Sequence, residues 1–333
     1  MLAREGEPIL SVGPAPHLRE LTAPVRQVHV PLGSAALCGR RMAKLAGEAE
    51  LIHAWSPVAF RAARAAGRLA GLPVVYSLPC LPVAASLERA LELTSAALAI
   101  LTVPTNAARN TLVRRGAPAS GVHVLPPPGQ PPTDRDRLRR RVRETLDIAD
   151  CDFLLVAPGE ITRDAGHMYA CWAFAIVRHI RGGAKLLIPA GGPAFRSAKF
   201  FSGKTGFEEE VFFTEGIFSL AESLAAADAA VFCHKRDCGV AALAAAMAAG
   251  LPIVASQTPD AADCTRSGEA ALLTPAAQPQ FAAAEMLKLI EEPASTGRLA
   301  RAAGAVAAER FAPDECRGRL DSIYSAAASA CPA

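Results

Sequence analysis

The side chains best suited to chemistry crowd into one short loop. Residues 231–240 read V-F-C-H-K-R-D-C-G-V, so a thiol, an imidazole, two cations and a carboxylate follow directly on a short apolar run. An Ala-rich stretch closed by Gly250 comes next, then the β-branched run 253–255. That order predicts strand, loop, helix and strand, which is two parallel strands joined by a crossover helix. In such a unit the loop lies at the carboxyl end of the first strand, where the free N–H groups of the helix point at an anion. Residues 234–240 are therefore the first candidate site, and a negatively charged ligand is the class they suit.

A metal is the competing use of the same residues. Cys233 and Cys238 are separated by four intervening residues with only His234 beside them, and none of the nine cysteines forms a Cys-x-x-Cys pair. That spacing does not make a zinc set, so buried free thiols are expected and no metal or resident cofactor is assigned.

The elements needed to position this loop follow from length and pattern. A chain of 333 residues exceeds one ordinary domain, so two are expected. The net charge of +3 and sequence pI near 8.4 are too mild for a nucleic-acid partner. Residues 1–8 carry charges of both signs ahead of a very short apolar run, which predicts no secretory signal. The longest apolar run, 240–256, is broken by Gly250 and Pro252, so no membrane span is expected and a reducing, cytoplasmic setting follows.

Strands are predicted at 9–12, 25–30, 50–53, 72–78, 97–103 and 122–125, with helices at 17–21, 35–46, 58–70, 86–95 and 105–116. The run P-P-P-G-Q-P-P at 126–132 reads as a stiff join between halves. Six arginines fall within 135–143, and a solvated helix face is expected there; the charge elsewhere gives no support to a peripheral membrane contact. Beyond it, strands are predicted at 153–156, 185–188, 208–214, 229–232, 253–255 and 271–274, and helices at 168–180, 220–227, 282–291, 296–309 and 314–328. Alternating strands and helices on both sides of a Pro-rich join predict an α/β chain of two doubly wound Rossmann-like domains facing a cleft. The expected division is 1–132, 133–312 and a last helix, 313–333, that crosses back to the first domain.

Several stretches in this order resemble one family. Residues 51–76 are similar to a segment written I-V-H-A-H-S-P … A-G-I-P-V-V-Y-T, and A-M-A-A-G at 246–250 is similar to the helix end A-M-A-x-G, both found in family 4 retaining glycosyltransferases of GT-B fold. The resemblance spans about 51–328. It implies transfer of a hexose, with retention, from a UDP- or GDP-sugar held on the second domain to an acceptor (a glycan, lipid or small molecule) on the first.

The resemblance also implies site residues. The family's paired acidic positions fall on Asp237 and Ala245, making Asp237 the catalytic candidate. Its phosphate-gripping Arg and Lys fall on Glu160 and Ala165, with Arg163 and the helix-start His167 as substitutes in the same loop. Its sugar-contacting His falls on Pro79, and its Gly-rich first loop on G-P-A-P at 13–16. Gly191, Gly192 and Pro193 match a G-D-G-P turn, and Gly268 with Glu269 part of another. Asp260 and Asp263 occupy an acidic G-G-x-x-E position. Arg163, Gly192, Lys235, Asp260 and Asp263 are thus the donor-binding candidates, while Pro79, Glu160, Ala165 and Ala245 depart from the pattern. Asp237 and Asp260 equally suit helix caps. The alternative to a transferase is a catalytically inactive GT-B module that binds a nucleotide, a glycan or a partner protein.

Overall fold

The computed structural model describes residues 9–12, 25–28, 34–47, 49–81 and 99–329. The helices expected at 17–21 and 86–95, and the loop 13–16, lie outside the described residues. The chain divides into two compact units, Met1–Pro126 with Pro313–Ala333, and Pro127–Ala312.

Among its described residues the first unit holds two parallel sheets. Strand β1 (Ile9–Val12) pairs with β2 (Val25–Val28), and a second sheet runs β3 (Ile52–Ala54), β4 (Val74–Ser77), β5 (Ala99–Val103), β6 (Val122–Val124). Helix α1 (Ala35–Leu45) and helix α2 (Pro57–Ala70) are both in this unit, and α3 (Asn106–Arg114) links β5 towards β6. Local chemistry sets these helix ends. Ser56 accepts the Ala59 N–H ahead of Pro57, and Gly71 closes α2 at φ +69°, where a side chain would be strained. Alternation along β4 then assigns its faces. Val74 and Tyr76 pack with Phe60 and Leu112, whereas Val75 packs with Leu320 and Ile323 of α12 (Pro313–Ser329). The last helix therefore covers one face of the first unit's sheet.

The second unit holds six parallel strands in the order β12, β11, β10, β7, β8, β9. Their bounds are β7 (Phe153–Val156), β8 (Ala184–Ile188), β9 (Val211–Phe213), β10 (Ala229–Phe232), β11 (Ile253–Ser256) and β12 (Leu272–Thr274). The helices are α4 (Arg135–Thr145), α5 (His167–Ile180), α6 (Phe195–Gly203), α7 (Leu220–Ala226), α8 (Val240–Ala248), α9 (Pro259–Cys264), α10 (Pro279–Glu291) and α11 (Pro293–Arg310). Leu154 and Val156 face a layer containing Val240, Leu243 and Met247, while Leu155 faces Phe174 and Met286 on the other side. Helices on both faces leave only the strand ends for function.

Three expectations need correction. The arginine-rich helix α4 is not wholly solvated. Arg143 is 3% exposed, and Arg143 and Arg139 both bind the Asp228 carboxylate, at 2.7 and 2.8 Å. That carboxylate also accepts the Leu154 N–H at 2.7 Å, tying helix, strand and loop together. Residues 208–210 form a 3-10 turn, so the strand expected at 208–214 is only Val211–Phe213, which alone pairs with β8. Helix α6 stands where no element was expected, because tertiary packing of Ala198 and Ser202 outweighs a weak local pattern.

Candidate functional site

Strand order places the site. Leaving β7, the chain moves through β8 to β9 on one side and later through β10 to β12 on the other. The reversal falls between β7 and β10, and in open parallel sheets the crevice beyond the carboxyl ends at such a point is where ligands bind. Two loops border it, 157–166 after β7 and 233–239 after β10.

The two loops are built alike. Each ends in a glycine at left-handed φ, Gly166 at +70° and Gly239 at +69°, and neither helix start carries a side-chain cap. The first-turn N–H groups of α5 and α8 thus keep the partial positive charge that favours an anion. Close approach as well as φ requires glycine here. A Cβ on Gly166 would lie 1.8 Å from the Cys233 carbonyl oxygen, and one on Gly239 would lie 2.7 Å from the His234 ring. The loops are also stitched together, since the Lys235 N–H donates to the Asp164 carbonyl at 2.8 Å and Arg236 lies 3.9 Å from the Asp164 carboxylate.

A third loop, 189–194 after β8, abuts the first. Ile161 donates to the Gly191 carbonyl at 2.8 Å, and Ala194 donates to the Ile161 carbonyl at 2.9 Å. A Cβ on Gly192 would lie 2.6 Å from that Ile161 carbonyl oxygen, so Gly192 serves loop packing.

The candidate side chains divide by what they touch. Arg163, Lys235 and Glu160 are exposed on the two loops, and Ala165 is buried with its N–H bonded to Thr162. Asp237 Oδ1 accepts the Asp260 N–H at 2.8 Å, which caps α9 from the neighbouring loop; Thr258 also caps it, through the Ala261 N–H. Asp260 is 2% exposed. Asp263 pairs with Arg310 of α11 at 3.1 Å. Ala245 packs against the core beneath α8, and Pro79 lies in the first unit just past β4.

Two histidines also lie at these loops. His167, the first residue of α5, and His234 are both buried, and burial pushes each imidazole down to about 4. The His167 ring nitrogens lie near the Ala157 and Gly159 carbonyls but form no hydrogen bond of good geometry. A charge on His167 further disfavours one on His234, so the two are electrostatic neighbours. The only signal in the sequence was a histidine directly after a helix-starting glycine. Burial also pushes the Cys233 thiol up to about 12, an inert free thiol, and among the described residues no group of His, Cys, Asp or Glu is arranged to hold a metal.

Fold and site together define a GT-B protein, with two parallel-sheet α/β units and an anion-suited switch point on the second. Residues 152–292, which carry all of that switch point, match the family model of glycosyl transferases group 1. Anabaena Alr3699/HepE, solved with UDP and glucose, is similar with a TM-score of 0.82 at 19% identity, covering 93% of this chain and 88% of that one. A glycosyltransferase from Rickettsia africae ESF-5 is similar with a TM-score of 0.76 at 10% identity, over 97% and 99%. WaaG, a glycosyltransferase involved in lipopolysaccharide biosynthesis, is similar with a TM-score of 0.66 at 17% identity, over 93% and 88%. No curated protein matches the chain.

Proposed function

We propose that this protein is a glycosyltransferase that takes a hexose from a nucleotide-sugar donor, with retention, and passes it to an acceptor whose identity is open. The observation that carries the reading is the pair of uncapped, glycine-started helices at the β7/β10 switch point, within the segment matched to glycosyl transferases group 1. Their N–H groups suit a diphosphate, the leaving group of such a donor, and stabilising developing charge on that group is the main electrostatic task of the reaction. Arg163, Lys235 and Arg236 line the same two loops as cations for the phosphates. That HepE is solved in complex with UDP-glucose supports the donor class. Asp237 enters as a positioning residue that fixes the second loop against α9, with Asp260 buried behind it.

A second reading has its own support. Glu160 and Ala165 stand where the resembling family places an Arg and a Lys, and a carboxylate near a phosphate repels it. On this reading the fold binds a nucleotide or a glycan without turnover. Incubating the full chain with UDP- and GDP-hexoses separates the two. Release of UDP or GDP together with sugar transfer to an added saccharide supports the transferase, whereas saturable binding with no release at any acceptor supports the binding module.

A further inference from the structure

We propose that His167 and His234 act as one proton-binding pair that supplies the positive charge for the diphosphate at the switch point. The inference rests on the nucleotide-sugar reading and goes beyond it, because it names where the charge comes from.

Counting the fixed charges of the two loops shows the need. Loop 157–166 carries Glu160, Arg163 and Asp164, and loop 233–239 carries Lys235, Arg236 and Asp237, three of each sign. They cancel, so a ligand with two negative charges meets no net fixed charge. The adjustable groups are the two imidazoles. Cys171, one turn along α5 from His167, and Cys233, beside His234, are held protonated by burial and add nothing.

Placement fits the role. His167 opens α5, and the His234 ring packs against Gly239, the residue before α8, so one imidazole stands at each of the two anion-facing helix starts. His167 is 3% exposed and its ring nitrogens are unbonded, pointing to the Ala157 and Gly159 carbonyls at the start of the first loop. Burial alone keeps both rings neutral. A negative charge about 4 Å away, at an effective dielectric near 20, raises an imidazole's affinity for a proton roughly a thousand-fold. That is enough to protonate one ring near neutral pH. A proton on His167 disfavours a second on His234.

The test is calorimetric titration of the full chain with UDP-glucose at pH 6, in buffers of differing ionisation enthalpy. UDP-glucose has no phosphate group that titrates near neutrality, so any proton taken up belongs to the protein. The expected result is uptake approaching one proton per ligand bound, with affinity nearly flat above pH 7 and rising toward about ten-fold per unit as pH falls below it. The His167→Gln/His234→Gln variant, checked for folding by circular dichroism, should bind without uptake and with a flat pH profile; should it fail to fold, each single variant, which keeps one imidazole, should lower the uptake without abolishing it. Binding without proton uptake, or uptake unchanged in the variants, overturns the proton pair and leaves the nucleotide-sugar reading standing. Failure of UDP-glucose, UDP and GDP-mannose to bind at all overturns both.

Discussion

The Asp237 carboxylate accepts the backbone N–H of Asp260 at 2.8 Å, so the loop after β10 is held by the first turn of α9. Asp237→Ala should cost about 1 kcal/mol of stability, the usual worth of a helix cap, while Asp237→Asn, which keeps an acceptor oxygen, should cost a few tenths. Urea unfolding followed at Trp172 in a Trp55→Phe background checks this, since these are the chain's two tryptophans and each reports its own unit. Equal losses in both variants would contradict the capping role.

The Asp228 cluster predicts a larger effect. Arg143 is buried against Asp228 and the carbonyls of Ala149 and Asp152, so removing the carboxylate leaves a buried cation without its counter-charge. Asp228→Ala should destabilise the second unit by on the order of 3 kcal/mol, and added salt should not change that loss much. Arg137→Ala on the same helix, whose partner Asp134 is exposed like itself, should cost under about 1 kcal/mol.

Little of that difference was legible in advance. Six arginines in one helix read as a solvated face because Asp228, the partner of Arg139 and Arg143, lies far along the chain, just before β10. Periodicity shows which residues share a face and is silent on what that face meets. The strands fared better: buried parallel strands such as Val74–Ser77 and Phe153–Val156 are short apolar runs between turn residues, and that signal is local. The site was legible as loops, through its glycines and helix starts. The nearness of His167 and His234 was not, because their two loops adjoin through the pairing of β7 with β10 and the Lys235–Asp164 hydrogen bond, both between residues far apart in the chain.

Glycine requirements at the two loops differ from an ordinary turn. Gly166→Ala adds a methyl 1.8 Å from the Cys233 carbonyl oxygen at φ +70°, whereas Gly216, at φ +75°, has nothing within 4 Å. Gly216→Ala should lose about 1–2 kcal/mol from backbone strain alone. Gly166→Ala should lose clearly more, or fail to fold, and similar losses in thermal unfolding would show that the loops are not in contact.

Acid should loosen the first unit through His53. Its ring bonds Tyr324 of α12 at 2.8 Å and Ser77 at 2.7 Å, and burial pushes it down to about 4. The unfolded chain binds that proton below about 6.5, and the folded chain only near 4. Stability contributed by the neutral ring is therefore present above pH 6.5 and falls by about 1.4 kcal/mol per unit as pH drops toward 4. Unfolding followed at Trp55 in a Trp172→Phe background should show this slope, and His53→Gln should flatten it.

Binding of a nucleotide sugar at the β7/β10 switch point is most directly measured by titrating UDP-glucose and GDP-mannose into the full chain and into Lys235→Glu/Arg236→Glu, whose two changes are on exposed side chains. One donor should raise the unfolding free energy of the parent chain by about 2.7 kcal/mol at a hundred times its Kd. The charge-reversed variant, equally stable when unliganded, should bind that donor at least ten-fold more weakly. Equal affinity in the two proteins, or no stabilisation by any nucleotide, would contradict a diphosphate site there.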